Sequence, residues 1–195
     1  MKKVLLTLAL TAVCAASFAQ GKINMVNDAS HLVQFGTAVK APDAALAGQL
    51  ATSAATPSGA TLLVDLFGGT TAGNMTLQQT TILGIGPSAG FFGPRTFSSL
   101  DLPGGVTATF QVKVREVGFA TAELAQAGGA YYGFSPVFTF RPSSTIAFNS
   151  IVNPGGTALS TWAAGPINVQ VVPEPSSMAL AGIGAASLLM FRRRK

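Results

Sequence analysis

At 195 residues the chain has room for one ordinary domain beside any targeting segments. Its charged fraction of 10% lies well below the roughly 25% of an average soluble protein, while 48% of its residues are hydrophobic. The formal net charge of +5 invites a nucleic-acid reading, but Lys2 and Lys3 stand at one end and Arg192, Arg193, Arg194 and Lys195 at the other. Between Gln20 and Val172, Lys22, Lys40, Arg95, Lys113, Arg115 and Arg141 balance Asp28, Asp43, Asp65, Asp101, Glu116 and Glu123, so the body is neutral and no nucleic-acid partner is expected.

Residues 1–19 have the layout of a secretory signal: Lys2 and Lys3, an apolar run from Val4 to Ala16, then Ser17-Phe18-Ala19. Small residues at Ser17 and Ala19 place cleavage between Ala19 and Gln20, with the Sec machinery and signal peptidase as partners. The apolar run is short for an uncleaved anchor. Cys14, the single cysteine, lies within it behind Val13, where a lipoprotein signal wants a small residue. Its removal leaves a body without disulfide, thiol nucleophile or cysteine-based zinc site.

From Lys22 the chain reads as short strands separated by clusters of Gly, Pro, Ser and Thr. Strands are predicted at 22–27, 32–39, 61–67, 75–81, 96–102, 106–117, 136–141, 145–149 and 166–172. In 106–117, Val106, Ala108, Phe110, Val112 and Val114 share one face, opposite Thr107, Thr109, Gln111, Lys113 and Arg115. The stretch 61–67 is apolar on both faces except for Asp65, which suits a central strand burying Leu62, Val64 and Leu66. Residues 43–55 read as a small-residue helix or a loop, and 122–127 as one helical turn or a connection. Glycine pairs such as Gly68-Gly69 and Gly104-Gly105 supply turns, and none forms a phosphate loop. The expected fold is all-β, a single antiparallel β-sandwich of jelly-roll or immunoglobulin-like type, with an N-terminal signal helix and a C-terminal transmembrane helix.

The last segment has three parts. Pro173-Glu174-Pro175 stops the preceding strand, residues 176–191 carry no charge, and Arg192 to Lys195 are all basic. As a helix, 176–191 would measure about 24 Å, short of a hydrocarbon core of roughly 30 Å. Gly182 and Gly184 weaken it, and its small residues suit close packing against another membrane helix. The basic cluster would stay cytoplasmic, leaving the body outside.

Val172-Pro173-Glu174-Pro175-Ser176-Ser177, the uncharged segment and the terminal Arg-Arg-Arg-Lys resemble the PEP-CTERM sorting signal of Gram-negative, often exopolysaccharide-producing bacteria. The resemblance implies recognition by exosortase, a multi-spanning membrane peptidase, and removal of the tail as the protein passes to the cell surface or biofilm matrix. It makes Pro173, Glu174 and Pro175 a substrate motif and says nothing of the body's own activity.

Within the body, His31 is the only histidine, so a Ser-His-Asp triad would have to use it, and no G-x-S-x-G accompanies it. Glu116 follows the apolar-face parity of its strand and would need a second carboxylate nearby to hydrolyse a glycoside; otherwise it ends the strand at the rim. No calcium loop follows Asn27 and Asp28, and neither metal nor cofactor is expected. Tyr131, Tyr132 and Trp162 are candidate glycan contacts if they form an exposed aromatic row. The reading is an exported, non-enzymatic protein of the surface or exopolysaccharide matrix. Alternatives are a secreted carbohydrate-binding module or carbohydrate-active enzyme, and a periplasmic protein that stays tethered through 176–191.

Overall fold

The computed structural model describes residues 20–152 and 159–172. The signal segment 1–19, the motif 173–175, the apolar stretch 176–191 and the basic end 192–195 lie outside the described residues. No helix among those described is long and apolar enough to cross a membrane.

Among the described residues ten strands follow in order: β1 (Gln20–Met25), β2 (Val33–Phe35), β3 (Leu62–Gly69), β4 (Thr76–Ile82), β5 (Arg95–Pro103), β6 (Ala108–Glu116), β7 (Tyr132–Phe134), β8 (Phe138–Phe140), β9 (Asn149–Ser150) and β10 (Ile167–Val169). Among the described residues one α-helix, α1 (Ala122–Ala127), joins β6 to β7. Thr121 caps its start by accepting from Leu124 N, as expected of a threonine before a short helical run. Only the start of the predicted helix-or-loop at 43–55 falls in a 3-10 helix, Ala41–Leu46.

The largest sheet runs β4-β3-β6-β7, with β8 paired to the other end of β6. β3 is central, as its apolar composition predicts, and Leu62, Val64 and Leu66 are fully buried. Its charge is neutralised inside the sheet: Asp65, 1% exposed, accepts from Arg115 Nε at 2.6 Å and from Thr80 Oγ1 at 2.6 Å. An unpaired buried carboxylate would cost several kcal/mol, so β3 is tied to both neighbours by this one side chain. On β6, Ala108, Phe110, Val112 and Val114 are buried as their alternation requires. Val106 departs from it, standing exposed beyond the turn at Gly104-Gly105, because the strand begins only at Ala108.

The other two sheets alter the expected topology. β5-β1-β9 is mixed, since β1 pairs antiparallel with β5 and parallel with β9, and β10 pairs parallel with β2. A purely antiparallel fold is therefore not what forms. Parallel pairs need long crossovers, and here they unite strands from opposite ends of the body. The buried faces of all three sheets meet in one core that includes Ile23, Met25, Val33, Phe35, Leu66, Phe110, Val112, Ile167 and Val169. A smaller cluster of Ala122, Ala125, Ala130 and Tyr132 lies under α1.

The predicted strands at 75–81 and 96–102 form within one residue of their expected ends, whereas 32–39 and 166–172 shorten to three-residue strands. β7 is unforeseen. Its three residues include Gly133, where a Cβ would stand 2.8 Å from Asn168 O, so glycine permits the close approach of β10.

Candidate functional site

Of the residues that the sequence singles out, His31, Tyr131, Tyr132 and Trp162 are buried and Glu116 is partly buried. His31 is 6% exposed, with Nδ1 2.7 Å from Asp28 Oδ1 and Nε2 3.3 Å from Trp162 O. Both ring nitrogens are thus engaged by acceptors, and a triad needs one of them against a serine hydroxyl. Glu116 Oε2 accepts from Lys40 Nζ at 2.8 Å and from Tyr131 N at 3.2 Å, so it meets a cation and a backbone amide in place of a second carboxylate. Among the described residues no group of three or more His, Cys, Asp or Glu side chains could hold a metal ion.

The exposed aromatic row does not form. Tyr131 is fully buried, Tyr132 is 8% exposed and Trp162 is 7% exposed. Trp162 stacks on Phe138 at 4.8 Å and lies 4.5 Å from the His31 ring. Tyr131 packs edge-on to Phe35 at 5.4 Å, and Tyr132 joins the cluster beneath α1. These rings join Phe92, Phe110, Phe138 and Phe140 in filling the core, where large aromatic side chains bury the most apolar area.

A polar network runs through that core. Asp43 is fully buried and accepts from Ser58 N at 2.7 Å, Ser58 Oγ at 2.6 Å and Tyr131 Oη at 2.7 Å. Burial alone would push its carboxyl up, but the Ser58 and Tyr131 hydrogen bonds outweigh it and hold the pKa below the usual value. The same burial, reinforced by Asp43, raises the Tyr131 phenol. On the far side of the largest sheet, Lys113 pairs with Glu123 and lies 4.3 Å from the Phe67 ring centroid. Burial works against ionisation of Glu123, and the Lys113 bond overcomes it to lower its pKa.

The chain leaves this body along β10. Ile167, Asn168 and Val169 pair in parallel register with Val33, Gln34 and Phe35. Beyond the ladder, Gln170 N donates to Tyr132 O at 2.9 Å and Tyr132 N returns a bond to Gln170 O at 3.0 Å. Val171 N donates to Ala38 O at 2.9 Å, and Val172 packs against the cluster under α1. Pro173 is the next residue. Residues 171–195 match the PEP-CTERM protein-sorting motif.

The PEP-CTERM motif marks the protein for export and for sorting toward the cell surface through exosortase, a membrane peptidase. No curated protein and no solved structure matches the chain. The two valines that open the matched region, Val171 and Val172, belong structurally to the body.

Beside the exit, a surface depression of about 220 Å³ is lined by Gln34, Phe35, Gly36, Thr37, Gly48, Asn168 and Gln170. Gln34 Nε2 donates to Asn168 Oδ1 at 3.0 Å, a cross-strand bond set by the β2–β10 register. The lining is uncharged and rich in side-chain amides, each offering both donors and acceptors. Sequence reasoning missed it because the amides come from residues more than 130 positions apart.

Proposed function

We propose that this chain is an exported, non-enzymatic component of the cell surface or exopolysaccharide matrix, delivered and processed through its PEP-CTERM motif. The observation that carries the reading is the match at 171–195, fused without a spacer to a body packed as far as Val172. In this reading residues 1–19 are a signal peptide cut between Ala19 and Gln20. Pro173, Glu174 and Pro175 are recognised by exosortase, 176–191 enter the membrane, and Arg192, Arg193, Arg194 and Lys195 hold its end in the cytoplasm. The body, residues 20–172, is a β-sandwich of mixed strand direction. Its internal ion pairs, Lys40 with Glu116 and Arg115 with Asp65, support a scaffold role, because they occupy the groups a reaction would use.

Intact-mass measurement of surface and matrix fractions tests this. The expected species begins at Gln20 and lacks Lys195, and Glu174→Ala is expected to accumulate the uncut form. Recovery of the complete tail in surface material would sink the proposal.

The amide-lined depression favours a second reading, in which the body holds a neutral saccharide of the matrix. Amides and a threonine hydroxyl match the donor and acceptor pattern of sugar hydroxyls, and the absence of charge in the lining suits an uncharged glycan. A glycan-array screen of the body should give neutral binders that Asn168→Ala weakens at least about tenfold, the loss expected for one hydrogen-bonding side chain. Binding untouched by that change would dismiss this pocket.

A further inference from the structure

Among the described residues the most exposed large apolar side chain is Ile146, 85% exposed, in the loop between β8 and β9. Phe148 of the same loop is 39% exposed, and Val106, in the turn between β5 and β6, is 55% exposed. Hydrogen bonds fasten the two connections together. Gly105 N donates to Pro142 O at 2.8 Å, Arg141 Nε donates to Gly105 O at 2.8 Å, and Ser143 and Lys22 exchange backbone bonds at 2.9 and 3.0 Å. A Cβ on Gly104 would stand 2.5 Å from Ser143 O, so glycine lets the turn approach the loop. Within the loop, Thr145 N donates to Ser143 Oγ at 3.1 Å and Asn149 Nδ2 to Arg141 O at 3.0 Å. Held backbone thus presents Val106, Ile146 and Phe148 as one apolar tip.

The charge around this tip differs from that of the neutral body. Of the body's six basic residues, Lys40, Lys113 and Arg115 form ion pairs with Glu116, Glu123 and Asp65. Lys22 and Arg141 form none among the described residues, and both flank the tip. Lys22 Nζ lies 6.0 Å from the Phe148 ring centroid, and Arg141 is exposed beside Gly105. Asp101, the exposed acid of β5, accepts from Thr76 Oγ1 at 3.5 Å.

We propose that this tip docks the body onto an anionic phospholipid surface. Ile146, Phe148 and Val106 enter the boundary between headgroups and acyl chains, and Lys22 and Arg141 meet phosphate oxygens. Apolar side chains supply the burial and cations the attraction, the combination by which a protein lies on a bilayer without spanning it. The charges favour lipid over a second copy of this chain, because two such tips meeting would set Lys22 and Arg141 against their own kind. The apolar group favours it over an acidic polysaccharide, which offers no hydrocarbon for an isoleucine 85% exposed to enter. The contact is separate from the sorting tail. β6 runs from Ala108, two residues past Val106, to Glu116, and the cluster that holds Val172 includes Tyr132, the partner of Arg115. Ala108 and Arg115 stand about 23 Å apart along that strand.

Ile146→Trp in the full chain places an indole at the tip, and the wild-type chain, with Trp162 alone at 7% exposure, gives the background. In phosphatidylglycerol vesicles with brominated acyl chains, which quench only at near contact, the added indole should be quenched and Trp162 spared. Phosphatidylcholine vesicles of equal bromine content should quench it several-fold less, since they lack the net charge that Lys22 and Arg141 meet. Apolar residues 4–16 and 176–191 give the full chain other routes to a bilayer. The control is therefore the same chain with Val106→Ser and Phe148→Ser, in which quenching of the added indole should fall about tenfold. Quenching no greater than that of Trp162 overturns the proposal, and so does quenching that survives in the control. Equal quenching in the two lipids refutes the part given to Lys22 and Arg141. A blue shift of the added indole that grows with protein concentration in the absence of lipid would assign the tip to a second copy and overturn the lipid assignment.

Discussion

The phenol of Tyr131 donates to Asp43 Oδ2 at 2.7 Å and accepts from Lys40 N at 3.0 Å, so one hydroxyl joins the 3-10 helix to the segment between α1 and β7. The Lys40 ammonium closes the circuit through Glu116, whose Oε2 also accepts from Tyr131 N. Removing the hydroxyl leaves Asp43 buried with one donor fewer. Tyr131→Phe is expected to cost about 1–3 kcal/mol in a denaturant titration. Trp162, the single tryptophan, supplies the probe: stacked and 7% exposed, it should emit at short wavelength when folded and shift to the red on unfolding.

The same network predicts the pH profile. Asp43 has its pKa lowered from 3.8, so its contribution is complete above that value and is lost as pH falls through the folded pKa. Tyr131 is raised from 10.0, so its contribution is complete below pH 10 and declines as pH rises further. Stability measured against pH should fall at both limits. Asp43→Asn should flatten the acid limb and Tyr131→Phe the alkaline one, relative to wild type.

The buried pair of Asp65 and Arg115 makes a different prediction, because the Arg115 Nη1 also donates to Phe119 O at 2.6 Å. Arg115→Met strands a carboxylate that is 1% exposed, with an expected loss of about 3–5 kcal/mol. Asp65→Asn combined with Arg115→Met should recover part of that loss, since the stranded charge is gone. A double-mutant cycle in urea reads the difference.

Gly133→Ala would push a methyl toward Asn168 O, whose backbone stands 2.8 Å from the ideal Cβ position. A cost of about 1–3 kcal/mol is expected from overpacking. Hydrogen exchange should show the loss first at Gln170 and Tyr132, whose mutual bonds depend on that close approach.

Much of the framework was legible because it lies in local pattern. Alternation in β6 and the doubly apolar run of β3 announce their buried faces, and α1 spans the residues 122–127 that read as one helical turn or a connection. What could not be read depends on partners distant in sequence. Glycine interrupts β7 because of Asn168, and Tyr131 is drawn inward by Asp43 despite adjoining glycines that suggest a loop tip. Strand direction is likewise invisible locally, as parallel and antiparallel strands share one alternation. The sorting motif was legible because its proline, apolar and basic parts are contiguous.

The parallel pairing of β10 with β2 also orders events in time. Val33 meets Ile167 and Phe35 meets Val169, so one edge of β2 stays open while more than 130 residues emerge behind it. Closing so long a loop is slow and entropically costly. A chain delivered from its N-terminus completes this sheet only when its final body residues arrive, with the sorting motif immediately behind them. Completion of the fold and presentation of the motif thereby become nearly simultaneous.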